Sequence, residues 1–368
     1  KIVPDCIMKK IVCFHLLNDY SGSPKVLNLI LKGLSMKGYE IDLVTSRNTG
    51  ILDELSSCKY VKMYRYRYLF SNNPLFTILR YLYVQVYTFA FSFRYIFRKN
   101  IIFYINTLLP VGPALAGRLM GKRVVYHYHE NAFAKGLFYK TLAYMMQCLA
   151  SNIICVSNFQ RNNLKKKKHA IVIPNSLSTD YEKRCRVRCI ERNNKTVLML
   201  SSLKLYKGIL EFVQLSERLP QYHFLLVVND TQKNIEKFCT MHNILRHENL
   251  ELWDRQLDVF PFYERASLVL NLSNRKKVLE TFGLTVLEAM TMGLPVIVPT
   301  EGGIAEMVED GVNGYKIDVQ NLDEIENKIN KILSDKLLYQ SLCENAKKLS
   351  ENYSYVSMID KIDKLLGN

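Results

Sequence analysis

The sequence lacks the marks of several common chemistries. Its nine cysteines are an odd number, scattered without a C-x-x-C pair. Cys185 and Cys189 come nearest, and a C-x3-C pair with no further ligands is a weak metal signal; the pattern reads as reduced thiols in a cytosolic protein. No G-x-G-x-x-G fingerprint follows the first apolar run, which argues against a nicotinamide or flavin cofactor. The longest uncharged aromatic run, Tyr81 to Phe93, has 13 residues. A spanning helix needs about 20, so no transmembrane segment is expected. No secretory signal peptide is read: Met8-Lys-Lys-Ile-Val-Cys-Phe-His15 looks like the natural opening of a first strand, with the first seven residues either a remnant of expression or an upstream extension. Acidic residues are missing altogether between Glu54 and Glu130.

What is present points to two globular domains and an anionic partner. A chain of 368 residues, 48% of them hydrophobic, suffices for about two domains with cores of their own. Lysine and arginine number 50 against 34 acids, a net charge of +16. Such a balance favours nucleic acid, a membrane surface or a phosphorylated substrate.

Short apolar runs alternate with helical stretches. Lys10 to His15, Tyr39 to Thr45, Ile101 to Ile105, Lys122 to His127, Asn152 to Val156 and Ala170 to Asn175 read as strands in the first half, and Asn73 to Arg98 as a helix apolar nearly all round. Ser176 to Lys195 is polar and without apolar periodicity, and reads as a linker. Thr196 to Ser201 opens a second series of strand–helix units, which ends in two helices over Leu322 to Asn352 and a terminal helix over Val356 to Leu366. Alternating βα units predict an α/β protein with parallel sheets.

The most informative stretch is Glu280-Thr-Phe-Gly-Leu-Thr-Val-Leu-Glu288-Ala-Met. The apolar run Leu268 to Leu272 precedes it, Thr285 to Met292 reads as a helix stopped by Gly293, and Leu294 to Val298 is the next strand. Glu280 therefore falls on a strand-to-helix loop and Glu288 about a turn inside the helix. A helix N-terminus offers free N–H groups and a positive dipole end to a phosphate, and Gly283 lets the backbone come close. Carboxylates would repel that phosphate, and suit hydroxyls of a ribose or a sugar. A diphosphate with sugars at both ends would use all of these groups.

Glu280-x7-Glu288, followed by Gly293-Leu-Pro-Val-Ile and Glu301-Gly-Gly-Ile-Ala-Glu-Met-Val-Glu-Asp-Gly-Val-Asn-Gly314, strongly resembles the retaining family-4 glycosyltransferases of the GT-B fold, over about residues 257 to 318. The resemblance implies two Rossmann-like parallel-sheet domains facing across a cleft: an acceptor-side domain over residues 1–177, with a C-terminal helix over about 353–368 packing back on it, and a nucleotide-sugar-binding domain over residues 178–352. It assigns Glu280 to the donor sugar and Glu288 to the nucleotide ribose, with Phe282, Gly283 and Leu284 lining the donor site between them. Lys207-Gly208 matches the lysine that grips the diphosphate. Ser202 stands where the family has an arginine, so one cationic contact is lost unless Lys204 or Arg275 replaces it. Gly22, in Leu17-Asn-Asp-Tyr-Ser-Gly-Ser-Pro24, is the one glycine matching a loop that is glycine-rich in the family. His129-Glu130 resembles the family's strand-end His-Asp pair near the transferred sugar, Glu130 replacing the acid; His127 is read as packed on the other face of the strand. The amides at Gly302-Gly303 could also bind an anion.

The implied activity is retaining transfer of a sugar from a nucleotide-diphosphate donor to a hydroxyl of a glycan or a polyprenyl-linked acceptor, as in bacterial surface polysaccharide synthesis. No bound metal or cofactor is expected, since the family usually needs none and no D-x-D-type acidic cluster argues otherwise. A sugar-nucleotide epimerase of the same fold is the alternative, and a basic nucleic-acid binder the third; no RNA-binding signature supports the last. Tyr64 to Phe97 holds 13 of the chain's 41 aromatic residues, and Tyr64-Arg-Tyr-Arg-Tyr68 alternates ring and base. With 11 Lys and Arg and no acid between Glu54 and Glu130, this suggests an anionic membrane surface as a partner, Arg65 and Arg67 leading the contact, for a cytoplasmic enzyme peripheral on the inner face of the cell membrane.

Overall fold

The computed structural model describes residues 9–68, 73–134, 136–187, 195–244 and 247–367. The first seven residues, read as an expression remnant or an upstream extension, lie outside these. The chain divides into two compact units, Lys1–Asn175 with Val356–Asn368, and Ser176–Tyr355.

The first unit runs β1 (Lys10–Phe14), α1 (Gly22–Met36), β2 (Glu40–Ser46), β3 (Val61–Tyr66), α2 (Pro74–Ser92), β4 (Ile101–Asn106), α3 (Val111–Leu119), β5 (Arg123–Tyr128), α4 (Leu137–Leu149), β6 (Asn152–Cys155), α5 (Asn158–Asn162) and β7 (Ala170–Val172). The strands form one parallel sheet in the order β3-β2-β1-β4-β5-β6-β7. Ile11 pairs with Ile41 on one side and Ile102 on the other. Helices on both faces bury these strands from both sides, which is why they read as continuous apolar runs. Phe14, Phe103, Val124, Tyr126 and Ile153 are among the residues of the core.

The second unit runs α6 (Thr179–Val187), β8 (Thr196–Ser201), α7 (Ile209–Arg218), β9 (His223–Val228), α8 (Gln232–Met241), β10 (Leu250–Trp253), α9 (Phe260–Arg265), β11 (Leu268–Leu270), α10 (Leu284–Thr291), β12 (Val296–Val298), β13 (Gly314–Lys316), α11 (Leu322–Ser334) and α12 (Lys336–Ser350). Its strands are again parallel, in the order β10-β9-β8-β11-β12-β13. The last helix, α13 (Tyr355–Gly367), returns to the first unit. Lys37 Nζ meets Asp360 at 2.8 Å and Asp363 at 3.1 Å, the Tyr39 hydroxyl donates to Asp363 at 2.6 Å, and Arg123 donates to the Leu365 carbonyl at 2.6 Å.

Two expectations change. Part of the stretch read as a linker is helix α6, because Tyr181 and Cys185, four residues apart, pack into the core of the second unit; residues 188–194 lie outside the described ones. Tyr64 to Tyr68 is only in part an exposed motif: β3 pairs with β2, Tyr66 and Tyr68 are buried and Arg65 is engaged by Asp53 at 2.8 Å, which leaves Arg67 as its exposed base.

Candidate active site

Each sheet has one point where the chain turns from building one side to building the other. In the second unit it lies between β8 and β11, since β9 and β10 extend the sheet one way and β12 and β13 the other. Open parallel sheets bind ligands beyond the carboxyl ends of the strands at such a point. The loops after β8 and β11 carry Lys207 and Glu280, and these side chains form an ion pair.

The two loops are locked together along their length. Gly208 has a left-handed φ of +81°, and a Cβ there would sit 2.3 Å from both Leu272 Cβ and the Leu272 carbonyl, so only glycine fits. The Asn274 amide donates to the Tyr206 carbonyl at 2.8 Å, and Ser273 Oγ donates to Glu280 Oε1 at 2.9 Å. The Glu280 backbone is pinned from a third loop, where the Gly303 amide donates to its carbonyl at 2.7 Å. Gly302, at φ +104°, lets that loop approach, since a Cβ would lie 2.7 Å from the same carbonyl. The Gly303 amide is therefore committed to Glu280, contrary to the expectation that it awaits an anion.

Gly283 is the N-cap of α10, and a Cβ on it would meet the Ile304 side chain at 2.6 Å. The first-turn amides that follow have no acceptor within the helix. Phe282 and Leu284 are half-buried; Phe282 packs its ring 5.7 Å from Tyr353, and both side chains lean on the core. Glu288 lies just over one turn into α10. The hydroxyl of Tyr263 is 2.6 Å from Glu288 Oε2 and 3.0 Å from the Thr285 carbonyl. Burial, with the Glu288 charge beside it, raises the Tyr263 pKa well above the usual phenol range, so it stays a donor.

Lys207, Glu280, Gly283 and Glu288 thus share one rim of the second sheet. Ser202 adds no charge to it. Arg275 is held between Asp318, at 2.6 Å, and Glu301, and so is no ready substitute for the missing arginine. Lys204 is exposed and pairs with no carboxylate among the described residues.

In the first unit the corresponding point lies between β1 and β4. His15 follows β1, Asn106 ends β4 and His129 follows β5. Asn106 ties them together: its Nδ2 lies 3.0 Å from His15 Nδ1, and its Oδ1 lies 3.0 Å from His129 Nε2. His129 thus donates from Nε2 while His15 accepts at Nδ1. His127 shares a 2.8 Å hydrogen bond with the Tyr104 hydroxyl, and its ring centroid is 4.1 Å from that of His129. The two rings are neighbours on one face, because residues two apart on a strand point the same way; His127 therefore does not lie on the opposite face, as the sequence reading expects. Burial lowers the pKa of all three histidines, to about 4 for His15 and about 3 for His127, and keeps them neutral.

Thr107, next in line, has a φ of +72°, unusual for a β-branched residue. It turns the chain so that the Leu108 amide donates to both oxygens of Glu130 at 3.2 Å. Glu130 therefore braces the β4 loop beside His129. Gly22 is exposed at the first position of α1, whose preceding loop is pinned by the buried Asn18 through Ser46, Asn48, Leu52 and Asp53.

Sequence reading missed Asn106, Tyr263 and Ser273. Asn106 sits at the polar end of an apolar strand, a readable signal; the other two gain meaning only through partners distant in sequence.

The family model Glycosyltransferase Family 4 matches residues 20–181, and the model Glycosyl transferases group 1 matches residues 183–349. An uncharacterised glycosyltransferase of Methanocaldococcus jannaschii is 26% identical over 220 residues, 59% of each chain. A sucrose synthase of Melioribacter roseus is 32% identical over 160 residues, 38% of this chain and 20% of the relative. The chain thus spans between a fifth and about three fifths of these relatives' lengths. Among solved structures, Anabaena HepE in complex with UDP and glucose superimposes with a TM-score of 0.76 at 19% identity, over 98% of this chain and 100% of that one. TarM of S. aureus does so with a TM-score of 0.73 at 15% identity, over 98% and 100%. Family-4 in its amino-terminal half and group 1 in its carboxy-terminal half, the chain belongs to the glycosyltransferases of the GT-B fold.

Proposed function

We propose that the protein transfers a sugar, with retention at the anomeric carbon, from a nucleotide-diphosphate donor to a hydroxyl of a glycan or a polyprenyl-linked acceptor, in bacterial surface polysaccharide synthesis. The observation that carries this reading is the convergence of Lys207 and Glu280 at the switch point of the second sheet, with Glu288 one turn into the adjoining helix. UDP in the HepE structure supports a uridine nucleotide as the donor's leaving group. Lys207 and the first-turn amides of α10 hold the diphosphate and take up the charge that develops as it departs. Glu288 accepts from the ribose hydroxyls, with Tyr263 setting its orientation. Glu280 accepts from the donor sugar, and His129, neutral and donating from Nε2 to Asn106, is the first unit's candidate for a residue near the transferred sugar. Ser202 and Gly22 contribute backbone and space rather than charge. On this reading the ammonium of Lys207 and the helix amides carry the charge stabilisation, and no metal is assigned a role.

The test is calorimetric titration of the full chain with a panel of nucleoside diphosphates and their sugars, followed by NMR of the product's anomeric proton with a polyprenyl-diphosphate glycan as acceptor. Binding of UDP and one UDP-sugar, with the donor's α configuration kept in the product, is expected. An inverted product would overturn the retaining assignment, and product formed from donor alone would assign an epimerase.

A further inference from the structure

Helix α2 is apolar on two opposite faces. Val84, Thr88, Phe91 and, just past its end, Tyr95 recur at helical spacing and are buried. The opposite side carries Leu75, Phe76, Leu79, Leu82, Tyr83 and Val86, all more than half exposed, from 51% at Leu82 to 68% at Val86. A helix that merely covers its own domain shows polar residues on that side. The apolar surface continues onto α4: Phe138 packs 5.7 Å from Tyr81 and is itself exposed, as is Leu137. Contiguous apolar patches of this kind mark interaction surfaces.

The surroundings select the partner. Beyond the far end of α2, the exposed Phe93, Ile96 and Phe97 alternate with Arg94, Arg98 and Lys99, which are exposed as well. Lys140 follows Leu137 by three residues on α4. Neither α2 nor α4 contains an acidic residue. A second copy of the chain would set these uncompensated cations against one another, and nucleic acid would gain little from aliphatic side chains. A layer of anionic headgroups over acyl chains satisfies both the charge and the apolar face. Among the described residues no helix is long and apolar enough to cross a membrane, so α2 would lie in the plane of the interface.

We propose that the exposed face of α2, with the start of α4, docks on an anionic lipid bilayer, Leu75, Leu79, Leu82 and Val86 entering the acyl boundary while Arg94, Arg98, Lys99 and Lys140 meet lipid phosphate. The contact lies on α2 rather than on the Tyr64–Tyr68 stretch singled out from the sequence. On the transferase reading it would bring the enzyme to the leaflet that holds a polyprenyl-linked acceptor; the docking itself does not depend on that reading.

Sedimentation with vesicles of phosphatidylcholine alone, and of phosphatidylcholine with phosphatidylglycerol, tests this without any nucleotide sugar. The proteins are the parent chain, a Leu79→Ser, Leu82→Ser, Val86→Ser triple variant, an Arg98→Glu, Lys99→Glu double variant, and Leu257→Ser at an 80% exposed position of the second unit as a control. UDP titration and thermal melting verify that each is folded. If the triple variant melts early, Val86→Glu alone interrogates the same face. The parent and the control should partition at least about tenfold better onto the anionic vesicles, and the triple variant should lose about tenfold or more on them. The double variant should lose mainly the anionic preference. A parent that stays in the supernatant with anionic vesicles, or partitions no better than the triple variant, overturns the proposal. So does a dimer in light scattering that the triple variant dissolves, which would assign the face to a second copy.

Discussion

Lys207 and Glu280 come from loops 73 positions apart and meet in one ion pair, so their substitutions should not add. The side chains are 21% and 19% exposed. That places the pair between an exposed one, with about 0–1 kcal/mol of coupling, and a buried one, where removing one partner costs about 3–5 kcal/mol. A coupling of about 1–2 kcal/mol is expected for stability. Lys207→Ala strands a half-buried carboxylate with Ser273 as its remaining donor; Glu280→Gln strands an ammonium. The double variant should therefore be little less stable than either single one. The assay is urea unfolding of the full chain, following the transition of the second unit in the parent, both single variants and the double variant. Additivity within about 0.3–0.5 kcal/mol would refute a shared unit.

The same variants separate roles in donor binding. On the proposed function, Lys207→Ala removes a charged contact to phosphate, worth about 1.5–3 kcal/mol or roughly ten- to a hundredfold in affinity. That loss should appear for UDP and not for uridine. Glu280→Gln should lower turnover more than UDP affinity, because its proposed partner is the sugar. Equal losses for UDP and uridine in Lys207→Ala would move Lys207 away from the diphosphate.

Glu288→Ala should weaken uridine itself by about 1.5–3 kcal/mol in calorimetry, with Tyr263→Phe losing about 1 kcal/mol in the same direction. Gly208→Ala puts a side chain at φ +81° and against Leu272; unfolding should show the second unit destabilised by at least about 2 kcal/mol. Because burial holds His15 at about 4 and His127 at about 3, while the unfolded chain titrates them near 6.5, the unfolded state binds more protons across this window. The stability of the first unit should fall as pH falls below 6.5, by up to about 1.4 kcal/mol per pH unit for each histidine, until the folded values are reached. Urea midpoints of that unit that stay flat from about pH 7 to about pH 5 would contradict this.

How much was legible depended on whether a residue's meaning is local. Most strands read correctly because a parallel sheet covered on both faces needs continuous apolar runs, and Leu268 to Met292 carries its strand, loop and helix start within one window. The strand β3 escaped because its alternating rings and bases, Tyr64-Arg-Tyr-Arg-Tyr68, resemble an exposed binding motif until Asp53 is seen beside Arg65. Helix α6 escaped because two anchors, Tyr181 and Cys185, hold an otherwise polar stretch. On α2 the sequence could not say which of two apolar faces is inside, since a helix apolar all round has no phase to read.

The order of strands was not legible either, and the site follows from it. Nothing local places β11 beside β8 rather than beside β10, yet that adjacency brings the Lys207 loop against the Glu280 loop. Once it is set, the fine geometry rests on residues without chemistry of their own: Gly208 allows the crossing at Leu272, Gly302 allows the approach to the Glu280 carbonyl, and the Gly303 amide fixes that carbonyl. A glycine at each crossing lets three backbones meet where side chains would hold them apart, and the carboxylate and ammonium then take their places by constraint. The first unit reaches the same end by different means. There a buried asparagine, Asn106, bridges His15 and His129 from a neighbouring strand, and Thr107 accepts an unfavourable φ so that Glu130 can hold the next amide. Strain of this sort persists only where the surroundings impose it. Here it sits at the switch point of the sheet, beside the three neutral histidines and at the carboxyl ends of β1, β4 and β5, the place where open parallel sheets bind their ligands.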